Sequence, residues 1–231
     1  MSRAKSLLAL LLVAAAVALV FLPRGERPAD NATTARSIAL YGYGEDGAPL
    51  WEIRAEGGRI DESVQTLNGV TIDFYGEDDS TMSIRGDRLE RSAAVSRLFG
   101  NVRIDWDDLR MEVEALTWDE AVERLESGPI ALETEDARVS AAGFGYDLET
   151  ETASFTGGVE ASVGTDPGWT IRSDRAEEQD GVVVFRDGVT AESEDGHLSA
   201  ESVRLDDDGM RATGRVVAQL DLREMREPDE T

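Results

Sequence analysis

One motif recurs along this chain at a nearly constant interval. An apolar residue, a glycine and then alternating apolar and polar residues appear in LNGVTIDF at 67–74, LFGNVRIDW at 98–106 and SGPIALE at 127–133. The pattern returns in FTGGVEASV at 155–163, FRDGVTAES at 185–193 and ATGRVVAQL at 212–220. Successive marker glycines, Gly69, Gly100, Gly128, Gly158, Gly188 and Gly214, are 31, 28, 30, 30 and 26 residues apart. Self-similarity at such a period means a stack of units, each packed mainly on its neighbours. Helical repeats share this period, so the alternation has to decide. Val70-Ile72-Phe74, Val102-Ile104-Trp106 and Val159-Ala161-Val163 have period 2, one face buried and one wet.

A second short strand follows in each unit, as at Met82-Ile84, Leu109-Met111-Val113 and Trp169-Ile171, and a third at Leu89, Leu116-Trp118 or Val203-Leu205. Asp, Glu, Gly and Pro clusters such as Thr165-Asp166-Pro167-Gly168 separate them and reverse the chain. Each unit therefore reads as two or three short antiparallel strands, with its marker glycine at a bulge or corner. Val122 to Leu125 reads as part of a hairpin rather than a helical turn, because its neighbours keep the strand pattern. The irregular first unit has Ile38-Leu40, a turn at 44–47, and Leu50 to Ala55. The expected fold is all-β, an antiparallel β-jellyroll of stacked short hairpin repeats whose apolar faces meet in a long trough. Its two end strands expose unpaired backbone groups, which are capped, aggregate or accept a partner's strand.

Residues 1–5 carry Arg3 and Lys5, and 6–22 form an uncharged apolar run that ends at Pro23. The run has the length of a short transmembrane helix, and the Val20-Phe21-Leu22-Pro23 sequence that ends it is a poor signal-peptidase site. A retained single-span anchor is expected, with cleavage as the alternative. The expected organisation is a cytoplasmic 1–5, an anchor at 6–22, a linker at 23–36, the repeat domain at 37–222 and a charged tail at 223–231. In a bacterium the repeat domain would then face the periplasm.

Cysteine is absent, which excludes disulfides, thiol chemistry and an acylated-cysteine anchor. Formal charge is −25, and Lys5 is the only lysine. A body this acidic repels phosphate backbones, so nucleic acid is not an expected partner. His197 is the sole histidine, near Ser193, Asp195 and Ser199, but no nucleophile-elbow motif accompanies it. Asp105 to Asp108 and Asp206 to Gly209 lack the ligand spacing of a calcium loop. No catalytic residue, metal site or cofactor is expected.

An amino-terminal anchor, a first unit reading DGAPLWEIRAE at 46–56 and repeats such as Leu98-Phe99-Gly100-Asn101-Val102 make the chain resemble the LptC family. That family is the membrane-anchored periplasmic component of the lipopolysaccharide-export ABC transporter. The resemblance covers roughly 37–222 and the anchor. This chain carries more repeat units than a minimal member and is far more acidic, which leaves room for part of the soluble bridge protein's work. The resemblance implies lipopolysaccharide as ligand. It also implies contact with the transporter's membrane subunits through the anchor and the N-terminal edge, and with a soluble bridge protein through the C-terminal edge. The lipid-groove candidates are Trp51, Ile53, Ile72, Phe74, Ile84 and Ile104, with Trp106, Met111, Val113, Trp118 and Phe144. Two other classes share the repeat pattern: a structural, polymerising β-solenoid scaffold of the envelope, and a β-solenoid enzyme that cleaves polysaccharide.

Lipopolysaccharide headgroups carry phosphates, which this body repels at long range. The screening length falls from about 10 Å at 0.1 M salt to about 3 Å at 1 M. Binding of labelled lipopolysaccharide is therefore expected to tighten as sodium chloride is raised, a trend equilibrium titrations can follow.

Overall fold

The computed structural model describes residues 33–220, apart from 44–46, 61–63, 76–80, 93–94, 108, 120, 148, 165–167, 195 and 207. The expected anchor at 6–22 and tail at 223–231 lie outside the described residues. No helix among the described residues is long and apolar enough to cross a membrane.

All the described secondary structure pairs into one 16-stranded antiparallel sheet. The first six strands form a simple meander: β1 (Thr33–Tyr43), β2 (Pro49–Ile60), β3 (Gln65–Tyr75), β4 (Thr81–Ser92), β5 (Val95–Trp106) and β6 (Leu109–Asp119). The next two rungs are each split in two. β7 (Arg124–Ser127) and β8 (Ile130–Glu133) both pair with β6, and β9 (Ala137–Ala141) and β10 (Gly143–Asp147) both pair with β11 (Thr152–Val163). The meander then continues through β12 (Trp169–Gln179), β13 (Val182–Ser193) and β14 (Gly196–Asp206). β15 (Gly209–Thr213) and β16 (Val217–Leu220) share the last rung on β14. β1 starts at Thr33, inside the stretch expected to be linker.

In four units the expected short second and third strands are single strands of 11 or 12 residues that bend midway, while β9 and β10 remain two short strands as expected. On β4 the buried positions run Met82, Ile84, Gly86 and then Leu89, Arg91. A three-residue step in the middle inverts the parity, so both halves keep the same face inward. On β5 the corresponding step, from Leu98 to Val102, is four residues. One strand thus carries one residue more than its partner, the definition of a β-bulge. The register shifts at this point in five of the strand pairs, between Phe99 and Val102 on β5 and between Arg186 and Val189 on β13 among them. Read along the chain alone, the step looks like a turn between two strands.

On β3, β5, β11 and β13 a marker glycine sits at the bend. Gly69, Gly100, Gly158, Gly188 and Gly214 all have positive φ, and Asn101 and Asp187 adopt it beside two of them. An L side chain there is strained, and a Cβ on Gly100 would lie 2.4 Å from the Asp87 carboxylate. Gly128 departs from the set. It has no positive φ and open space around it, and it lies where the rung breaks into β7 and β8. Residues 121–123 form a turn leading into β7, as the hairpin reading required.

The two kinds of marker glycine should respond differently to alanine. Gly100→Ala is expected to cost at least about 1–2 kcal/mol, and Gly128→Ala less than about 1 kcal/mol, in urea unfolding of the full-length protein.

Candidate functional site

The bent strands bring their inner faces together into one apolar cluster. Its composition follows from the register, because directly opposed residues on neighbouring strands form rows that run the length of the sheet. One row passes through Ile53, Ile72, Ile84, Ile104, Met111 and Leu132. From there it continues through Val139, Ala161, Ile171, Ala191 and Leu198. On the other side of the bend, Leu67, Leu89, Leu98 and Leu116 stand in a second row. Beyond Ser127 that row continues as Phe144, Phe155, Ala176, Phe185 and Val203. Branched aliphatic residues fill the first half of the stack, and phenylalanines set against alanines fill the second. Phe144 and Phe155 meet with ring centroids 5.3 Å apart.

All eleven groove candidates lie on this inner face or pack against it. Ile53, Ile72, Ile84, Ile104, Trp106, Met111, Val113, Trp118 and Phe144 are buried from solvent, and Trp51 and Phe74 are half-buried. The structure therefore holds the interior shut along most of its length. It leaves access at the β2–β3 end, where Trp51 opposes Phe74 and its ring lies across Gly42 of β1. The leucine row was missed as part of this lining. Its signal was present in the motif, since Leu67 and Leu98 each stand two residues before a marker glycine.

The outer face carries the charge. Arg172 of β12 bridges Glu160 of β11 and Glu192 of β13, at 2.7 and 3.1 Å. Arg54 joins Asp73 across β2 and β3, and Tyr75 donates to Glu52 at 3.1 Å. His197 belongs to this ladder: its Nδ1 lies 3.5 Å from the Glu192 carboxylate on a half-exposed rung. The acidic turns are similarly engaged. Asp206 accepts from Arg204 at 2.9 Å, and Asp105 accepts from Arg103 and Arg110 at 3.1 Å. Among the described residues, no group of three or more His, Cys, Asp or Glu could hold a metal ion.

Among the described residues nothing pairs with the outer side of β1, nor with β15 and β16 beyond β14. The β1 edge presents Tyr41 and Tyr43, 51% and 62% exposed, with stacked rings 6.3 Å apart. At the far edge Val216 and Val217 are exposed. Both ends are open templates for strand addition.

No protein-family model matches the sequence, and no curated protein matches it. Among solved structures, the chain is similar to LptH from Pseudomonas aeruginosa, described as the LptA homologous periplasmic component of the conserved lipopolysaccharide transport device. Identity is 9% and the TM-score 0.43, over 49% of this chain and 94% of that one.

The outer ladder gives the fold a pH dependence. Burial pushes the Asp105 carboxyl up, but the Arg110 and Arg103 guanidiniums that donate to it outweigh burial and hold it below the ordinary aspartate value. A group depressed on folding adds stability above its unfolded pKa and loses it as pH falls through the folded one. Asp105→Asn should therefore destabilise at pH 7, and the gap from wild type should close below about pH 4, in urea unfolding run across that range.

Proposed function

We propose that this chain binds the acyl chains of lipopolysaccharide along the inner face of its bent sheet and passes the lipid on within an export system. In this reading 6–22 anchors it in the inner membrane, and the repeat domain lies in the periplasm. The transporter's membrane subunits meet the anchor and the β1 edge, and a soluble bridge protein meets the β15–β16 edge. It would act without catalysis or cofactor. The observation that carries the reading is the long apolar lining between two unpaired sheet edges, because a lining that continues from β2 to β14 can be extended by a partner's strand at either end. The sequence resemblance to the LptC family points the same way.

The energetics favour a lining that opens and shuts. Each methylene moved from water into an apolar interior gains roughly 0.8 kcal/mol. Several acyl chains held in a permanently enclosed cavity would bind too tightly to leave. A closed resting interior avoids this: lipid entry must part the two halves of the sheet, and the lost wall-to-wall packing offsets part of the gain. The half-buried Trp51 and Phe74 mark the end from which parting starts.

Self-assembly is the second reading, favoured by the exposed Tyr41–Tyr43 pair on the free β1 edge. Size-exclusion chromatography of detergent-solubilised full-length protein separates the two, since long polymers support the scaffold. For transport, photocrosslinkers at positions 72, 104 and 113 should label with lipopolysaccharide. Silence at all three, in protein that still folds, counts against lipid in the interior.

A further inference from the structure

Three buried side-chain polar atoms have no hydrogen-bond partner among the described residues: Ser83 Oγ, Ser96 Oγ and Trp118 Nε1. Two of them are on neighbouring rungs. Ser96 of β5 stands directly opposite Trp118 of β6, and the two residues are 0% and 2% exposed. The next residue in the same row is Arg91 of β4, opposite Ser96 and 6% exposed. Arg91 is the only buried basic residue among those described.

These three interrupt a row that is otherwise mostly apolar. From Trp118 it continues through Leu125, Tyr146 and Ala153. The row lies at the strand ends, far from the glycine bend, where β4 ends and β5 begins and where β6 ends and β7 begins. It thus forms one lip of the interior.

Leaving buried donors unmet lowers stability, and native structures seldom tolerate it without another use for the groups. An indole N–H can only donate and a hydroxyl can donate, while the guanidinium of Arg91, itself engaged within the fold, adds a fixed positive charge beside them. Such a set is complementary to an oxygen anion. Net charge bears on the same point. A molecule at −25 repels phosphate through solvent, so a phosphate site on it has to be buried, short-ranged and rich in donors.

We infer that Arg91, Ser96 and Trp118 form an oxyanion site on the lip of the interior, which takes a phosphate of the lipid headgroup while the acyl chains lie inside. The inference rests on the lipid-binding reading and goes beyond it, because it fixes which end of the lipid faces this lip. It also agrees with tighter binding at high salt: salt screens the long-range repulsion and leaves buried contacts largely intact.

The test uses full-length protein in detergent and three probes: diphosphoryl lipid A, the same lipid stripped of phosphate, and inorganic phosphate. Wild type should prefer the phosphorylated lipid. The Ser96→Ala/Trp118→Phe variant should lose that preference about tenfold or more, and Ser96→Ala alone should lose part of it. Without lipid Ser96→Ala should melt no lower than wild type, because it removes an unmet donor and almost no volume. A lower melting temperature would mean the donors are already satisfied within the fold, and the site would be wrong. Equal wild-type affinity for both lipids also overturns the site while lipid binding stands. Failure to bind either lipid, with inorganic phosphate still shifting wild-type but not variant tryptophan emission, overturns the lipid reading and keeps the oxyanion site.

Discussion

The bend in the middle of every long strand is the constraint on which the rest of this molecule depends. A flat antiparallel sheet of this size would leave one apolar face in water. Here the run of buried positions steps once per long strand, by three residues on one strand and by four on its partner, and the sheet closes over its own apolar face. The conformation that permits this is left-handed, and glycine supplies it at five of the six repeat markers. Gly128 lacks it, and the rung is broken there as it also is at Gly214 between β15 and β16; the inner row still crosses from Met111 to Leu132.

Closure separates the chemistry of the two faces. Inside, the rows are aliphatic and aromatic. Outside, arginines join acids on adjacent strands, as Arg172 does between Glu160 and Glu192, so part of the large negative charge is locally compensated rung by rung. Two departures from a dry, apolar interior matter most for function. At the β2–β3 end, Trp51 and Phe74 keep contact with solvent, and at one lip Arg91, Ser96 and Trp118 place donors where an apolar row would be expected. Each offers a different grip: the first to hydrocarbon, the second to an anion.

Much of this was legible in the residues. Alternation after each glycine identified the strands, and the fixed spacing identified the stack. The glycines themselves were assigned to corners or bulges, which is where Gly100 and Gly188 lie. Strand length was not legible. The three-residue step between Ile84–Gly86 and Leu89, or between Val113 and Leu116, breaks strict period 2, and in one dimension a bend and a turn break it alike. The interior was found mostly on one side of the bend, with Trp118 and Phe144 from the other, because Ile104 and Trp106 follow the motif while Leu67 and Leu98 precede it. Period 2 counted backward from Leu98 reaches Ser96, and counted forward from Leu89 reaches Arg91. Their burial was therefore encoded, but the polar residue types masked it.

All four tryptophans, Trp51, Trp106, Trp118 and Trp169, belong to the core or pack against it, so the native protein carries its own reporters of what enters. Lipopolysaccharide with bromine-labelled acyl chains, titrated into the full-length protein, tests the account most directly. Acyl chains in the interior predict strong quenching of tryptophan emission by the brominated lipid and none by its unlabelled twin. Lipid that co-sediments with the protein yet leaves the emission unquenched would contradict it.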